Sequence, residues 1–183
     1  MFLVNWFYSA LESMGLYMRS GKIVLLGLDN AGKTTLMHLL TKNHLKQHNP
    51  TQNPTMEQTT IGNVHISLFD VGGHTIARRI WSDYYHAADA IVFLVDTADT
   101  DRLPESATML HELLDDIPLT TTPILVLGNK IDAPGALSPP DLELALRLTS
   151  YLDATNCNVN LCMCSLVKKT GYHEGFLWLS KQL

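Results

Sequence analysis

The stretch Gly27-Leu28-Asp29-Asn30-Ala31-Gly32-Lys33-Thr34 constrains this chain more than any other, because it fits G-x-x-x-x-G-K-[ST] at every position. The run before it, Lys22-Ile23-Val24-Leu25-Leu26, is short and apolar, as a buried strand is, and Leu36, Leu39 and Leu40 follow at helical spacing. A strand–loop–helix setting is what the motif needs. Glycines let backbone N–H groups turn inward around phosphate oxygens, and the positive end of the helix points at the same place. Lys33 is placed to reach the β- and γ-phosphates, and the Thr34 hydroxyl to bind Mg²⁺. The chain is expected to bind a nucleoside triphosphate.

At 183 residues the chain is long enough for one domain with a full core. Its net charge is −5 and it has no basic block, so nothing in the electrostatics supports a nucleic-acid partner. Cys157, Cys162 and Cys164 are odd in number and have no histidine at ligand spacing, which argues against both a disulfide framework and a zinc site. A reduced, cytosol-facing protein is expected.

Residues 1–18 stand apart from the rest. On a helical wheel Leu3, Val4, Phe7, Leu11, Met14 and Met18 share a face, with Tyr8 and Ala10 beside it and Phe2 and Trp6 flanking. Asn5, Ser9, Glu12 and Ser13 form a polar stripe opposite, which interrupts the apolar run too early for a spanning helix of about 20 residues. No basic residue precedes the run and no small-residue cleavage site follows it, so a secretory signal is not expected. Two readings stay open: a helix packed on the domain, or one lying in a membrane interface. Burying Leu3, Phe7, Leu11 and Met14 would contribute about 6–12 kcal/mol before ordering costs, enough for reversible binding only. Only Arg19 and Lys22 lie nearby as cations. Phe2 excludes myristoylation, and the Lys181-Gln182-Leu183 end offers no cysteine for prenylation.

After a helix from Lys33 to about Thr41, residues 46–60 read as a loop, with Pro50 and Pro54 and no clear period. Thr55 within it is a candidate second ligand for Mg²⁺. Val64 to Phe69 alternates as a half-buried strand does, and Gly62-Asn63 before it suits a hairpin turn. The strand ends in Asp70-Val71-Gly72-Gly73-His74. Asp70 can hold Mg²⁺ through water, and the Gly73 N–H can bond a terminal phosphate whose loss would let the loop relax.

Ala90 to Val95 and Ile124 to Gly128 read as strands covered on both faces, separated by a helix from Pro104 to Asp115. The second strand delivers Asn129-Lys130-Ile131-Asp132. A carboxylate at Asp132 can accept from both N1–H and the exocyclic amine of guanine, whereas adenine would leave it unpaired, a penalty far larger than a lost methylene. Asn129 can bond N7 and brace the phosphate loop, and the Lys130 stem can lie along the base. A helix from Ser138 to Tyr151, a strand from Val159 to Cys164 and a final helix from Tyr172 to Leu183 complete the chain. Ser165-Leu166-Val167 are placed to finish the guanine pocket with backbone N–H groups. Strands alternating with helices give an α/β, doubly wound sheet with every motif at a strand's carboxyl end.

These residues resemble small GTPases of the Arf/Sar group, and within it the Sar branch, the GTPases of the COPII coat, over essentially the whole chain. Gly27 to Thr34 has the group's form of the phosphate loop, and Asn53-Pro54-Thr55 resembles its first switch. Asp70-Val71-Gly72-Gly73-His74 with Ala77-Arg78-Arg79 resembles the second, the histidine standing where Arf proteins usually carry glutamine. Cys164-Ser165-Leu166, Gly171-Tyr172 and Glu174-Gly175-Phe176 also match Sar.

The resemblance implies a three-layer P-loop GTPase fold over residues 19–183, a mostly parallel sheet with helices on both faces, preceded by an amphipathic membrane-interacting helix over 1–18. It implies a GTP/GDP site lined by Asp29, Asn30, Ala31, Gly32, Lys33, Thr34, Thr35, Gly73, Asn129, Lys130, Asp132, Ser165, Leu166 and Val167. Mg²⁺ would be held by Thr34, Thr55, Asp70 and Asp29. His74 would position the attacking water, while Arg78 and Arg79 would be switch or interface residues turned away from the phosphates. The implied cycle has a membrane-bound exchange factor loading GTP. The amino-terminal helix then enters the endoplasmic-reticulum membrane on its cytosolic face, or that of the Golgi, and the inner COPII coat is recruited and activates hydrolysis. Two features depart from Sar: a shorter amino-terminal segment, and a connection of only Leu152 to Asn158 where Sar proteins carry an insertion. The rival readings are an Arf-like GTPase of another membrane, against which Phe2 and His74 count, and a scaffold that holds GTP without hydrolysing it, against which Lys33, Thr34, Thr55, Gly73 and His74 count.

Overall fold

Alternation along the strands decides the layers. In β1 (Arg19–Leu26) Ile23 and Leu25 face one side of the sheet, and Val24 and Leu26 the other. All four are buried, so both faces must be covered. The computed structural model describes residues 19–42, 54–61, 64–74, 78–118, 120–154 and 157–183. The expected helix over 1–18, the first part of the expected loop at 46–53 and the Gly62-Asn63 turn lie outside them.

Following β1 are α1 (Lys33–Lys42), β2 (Thr55–Ile61), β3 (Val64–Asp70), α2 (Trp81–Tyr85) and β4 (Ala90–Asp96). A 3-10 turn (Thr100–Arg102) leads into α3 (Leu103–Asp116), then β5 (Ile124–Asn129), α4 (Pro139–Ala145), α5 (Thr149–Leu152), β6 (Val159–Met163) and α6 (Tyr172–Gln182). The six strands form one sheet in the order β2-β3-β1-β4-β5-β6, parallel except for β2 against β3. One core joins α1 and α6 to the sheet through Leu36, Leu39, Phe176 and Leu179. The other joins α2, α3 and α4 to the opposite face through Trp81, Leu110 and Leu142. This is the expected three-layer α/β fold. Strand order reverses at β1, between β3 and β4, and it is at the carboxyl ends of the strands around such a reversal that open α/β sheets place a ligand crevice.

Two expectations need correction. Residues 55–60 are not loop but part of β2, paired antiparallel with β3 so that Thr55 lies opposite Asp70 and Ile61 opposite Val64. None of Thr55 to Thr59 is buried, so no apolar alternation marks this stretch, and pairing with β3 overrides its polar composition. The helix expected over 138–151 is two helices. Ser138 caps the first, accepting the Asp141 N–H at 3.4 Å. It ends with Arg147 in the left-handed region at φ 54°, where Leu148 N–H bonds Glu143 O at 3.0 Å and Arg147 N–H bonds Leu144 O at 3.1 Å. That is a Schellman termination with arginine in glycine's usual place. Burial of Leu146 and Leu148 on either side of it stabilises the turn. The cysteines are free: Cys164 is buried in the first core and Cys162 packs against it. No helix among the described residues is long and apolar enough to cross a membrane.

Candidate nucleotide site

The crevice is floored by the loop between β1 and α1. Gly32 has φ 108°, and a Cβ there would lie 2.5 Å from Asn129 Nδ2, so conformation and close approach both require glycine. Asn30 is also left-handed, at φ 64°. Helix α1 starts at Lys33, so its first N–H groups, those of Lys33, Thr34 and Thr35 included, point into the loop. Lys33 is 4% exposed and its ammonium donates to Gly27 O at 2.9 Å and Leu28 O at 2.8 Å. Burial pulls its pKa down to about 8, a setting in which the charged form gains strongly from an added anion.

Asp70 ends β3 fully buried, and its carboxylate accepts a hydrogen bond from the Thr34 hydroxyl. Thr55 lies opposite Asp70 across the β2–β3 pair, which puts the two side chains on the same face of the sheet. Thr34, Asp70 and Thr55 are hard oxygen donors and suit Mg²⁺. Asp29 is engaged elsewhere. Its carboxylate pairs with Arg102 at 2.9 Å, and the hydrogen bond from that guanidinium holds its pKa below the usual carboxylate range.

After Asp70 the chain folds over the phosphate loop. A Cβ on Gly73 would collide with the backbone of Leu28 and Asp29, so only glycine lets the turn lie this close. Trp81 Nε1–H donates to Gly72 O at 3.0 Å, and Arg78 Nε–H to Gly73 O at 2.7 Å. Arg78 is thus turned back onto the glycine turn and toward Glu105, and Arg79 is exposed. His74 is half-buried and its carbonyl accepts the Arg78 N–H at 3.2 Å.

The base side is organised by Asn129. Its Nδ2 donates to Ala31 O at 2.9 Å, its Oδ1 accepts the Leu166 N–H at 3.2 Å, and its carbonyl accepts both the N–H and the hydroxyl of buried Thr97, each at 2.9 Å. The Leu166 N–H is therefore spent on Asn129, while its side chain lies buried under Gly32. Asp132 is exposed, and Ser165 Oγ–H donates to it at 2.5 Å; that bond chiefly holds the Asp132 carboxyl below its usual pKa. Ser165 is fixed in turn by paired backbone bonds with Thr170, each 3.0 Å. Lys130, at φ 69°, pairs with Asp96 at 2.6 Å, and Val167 is 68% exposed.

The expected phosphate, second-switch and base loops lie side by side, and Asp96, Thr97, Arg102 and Glu105, which no motif marks, lie among them. The one available signal was position: Asp96 and Thr97 follow directly on an apolar strand, where a doubly wound sheet places its site.

The model of the ADP-ribosylation factor family matches residues 7–183. A small COPII coat GTPase SAR1 from Nicotiana tabacum is 42% identical over 201 aligned positions covering all of both chains. One from Giardia intestinalis is 41% identical over 98% of each. Among solved structures, the Trypanosoma brucei Arl6 (BBS3) small GTPase with bound GppNp superposes with a TM-score of 0.78 at 31% identity, covering 88% of this chain and 96% of that one.

Asn129→Ala would leave the buried Ala31 carbonyl and Leu166 N–H without their partner. The expected cost is about 2–6 kcal/mol, at ~1–3 for each stranded group, measured by chemical denaturation. A loss below ~0.5 kcal/mol would mean that Asn129 does not join the loops.

Proposed function

Because this chain belongs to the ADP-ribosylation factor family of small GTPases, we propose that it is the GTP-driven membrane switch of a COPII-type coat. It binds and hydrolyses GTP, as members of this family do. The observation that carries the finer reading is the end-to-end match, at 42% and 41% identity, to two COPII coat GTPases. The Asp70-Val71-Gly72-Gly73-His74 turn agrees with it.

The geometry supports the following chemistry. Asp132, oriented by Ser165, accepts from N1–H and the amine of guanine, Asn129 faces N7, and the Lys130 stem lies along the base. The exposed Val167 edge closes the pocket beside Ser165. Backbone N–H groups from Asn30 to Thr35 surround the phosphates, and Lys33 exchanges its two carbonyl partners for phosphate oxygens. Thr34, Asp70 and Thr55 would hold Mg²⁺, which when bound neutralises charge on the β- and γ-phosphates. Asp29, whose Oδ1 is held by Arg102, has its second carboxylate oxygen to offer beside them. The Gly73 N–H bonds the γ-phosphate, and His74 positions the attacking water.

Residues 1–18 form the amphipathic helix that enters the membrane interface when GTP is bound. An exchange factor loads the nucleotide, and the inner coat, bound to the switches, accelerates hydrolysis. The support for the helix is its apolar face of Leu3, Val4, Phe7, Leu11, Met14 and Met18.

Two experiments test this reading. In liposome flotation the chain should float with a non-hydrolysable GTP analogue and not with GDP, and deletion of residues 1–18 should abolish flotation. Equal flotation in both states would rule out a nucleotide-gated helix. In single-turnover assays with the activating coat, His74→Gly should slow hydrolysis by ~10²-fold, within the usual range for a group that assists proton transfer or water positioning, with GTP affinity nearly unchanged. Unchanged turnover would remove His74 from that role.

A further inference from the structure

Four charged side chains run in an unbroken chain from the phosphate loop to the second-switch turn. Asp29 Oδ1 accepts from Arg102 Nη2 at 2.9 Å, and Arg102 Nε donates to Glu105 Oε2 at 2.9 Å. Glu105 Oε1 then accepts from Arg78 Nη2 at 2.7 Å, and Arg78 Nε donates to Gly73 O at 2.7 Å. Each guanidinium uses two of its fixed N–H directions to span two acceptors, which an ammonium on a flexible stem does not reproduce.

The carbonyl that Arg78 holds belongs to the Gly73–His74 peptide. The Arg78 N–H also bonds His74 O at 3.2 Å, so this one residue closes the turn through both side chain and backbone. The Arg78 side chain is only 12% exposed, and little water competes for it. Hydrogen bonds from Arg102 and then Arg78 hold the Glu105 carboxyl below its usual pKa, so the link between them stays ionised. Arg102, Glu105 and Asp29 are partly exposed, and ion pairs of that kind add little to global stability. What they do set is where the glycine turn sits over the phosphate loop.

The geometry points to Arg78 as a positioning residue: through Glu105 and Arg102 it ties the Gly73–His74 peptide to Asp29 of the phosphate loop, so that the protein grips a guanosine triphosphate more firmly than a diphosphate. This rests on the reading in which the Gly73 N–H meets the γ-phosphate. Only a ligand that carries the γ-phosphate then feels the loss of the tie.

The test is the release rate of fluorescently labelled GDP and of a labelled non-hydrolysable GTP analogue from the full chain with Mg²⁺. Arg78→Ala and Glu105→Gln should each speed release of the triphosphate roughly tenfold, the scale of one charge-assisted hydrogen bond, and GDP release less than twofold. Arg78→Lys should not restore the slow rate. Should Arg78→Ala fail to fold, Glu105→Gln carries the test, since it keeps the side chain's shape. Equal acceleration for both nucleotides, or none for either, overturns this inference while leaving the nucleotide site standing. A wild-type chain that binds neither nucleotide overturns both.

Discussion

Asn129 is the tie on which the site depends. It ends a fully buried strand and reaches three separate segments: the phosphate loop at Ala31, the 165–170 turn at Leu166, and the end of β4 at Thr97. Each of these bonds is buried or nearly so, where a hydrogen bond is worth most and a missing partner costs most. A single side-chain amide therefore fixes the distance between the Gly27–Thr34 loop and the 165–170 turn, the loops proposed to receive the phosphates and the base. The close approach of Gly32 to the same amide group shows how little slack remains.

The other half of the crevice is held differently. Asp70 and Thr34 meet at its floor, but the turn above them is secured by Trp81, Arg78 and the ion pairs beyond, several of them partly exposed. Contacts of that kind are weaker and more easily exchanged than the base side's buried network. On the proposed reading, the site joins a fixed base pocket to a phosphate sensor held by replaceable bonds. A switch needs that division, because a ligand can shift a conformation only by the difference in how it binds the two states.

Much of this was legible in the sequence because it rests on local rules. Gly27 to Thr34 and Asn129 to Asp132 follow short apolar runs, and a buried strand ending in such a motif leaves few folds to choose from. Ser138 before two prolines gave the start of α4 for the same reason. What was not legible is tertiary. Thr55 to Thr59 of the edge strand β2 are polar or exposed and none is buried, so only the pairing with β3 reveals the strand. Arg147 occupies a position where glycine would have announced the helix end. The path from Asp29 through Arg102 and Glu105 to Arg78 joins residues separated by 73, 3 and 27 positions, and no spacing rule connects them.

The central claim is that Asp132, set by Ser165 and aligned with the phosphate loop through Asn129, makes this a guanine site. The most direct measurement is equilibrium binding of GDP, IDP and ADP to the full chain with Mg²⁺. Hypoxanthine keeps N1–H but lacks the exocyclic amine, so IDP should bind roughly 10–100-fold more weakly than GDP, as for one lost hydrogen bond to a charged acceptor. ADP, which leaves the carboxylate unpaired, should be weaker by about 10⁴ or more. Binding of ADP within tenfold of GDP would contradict the account.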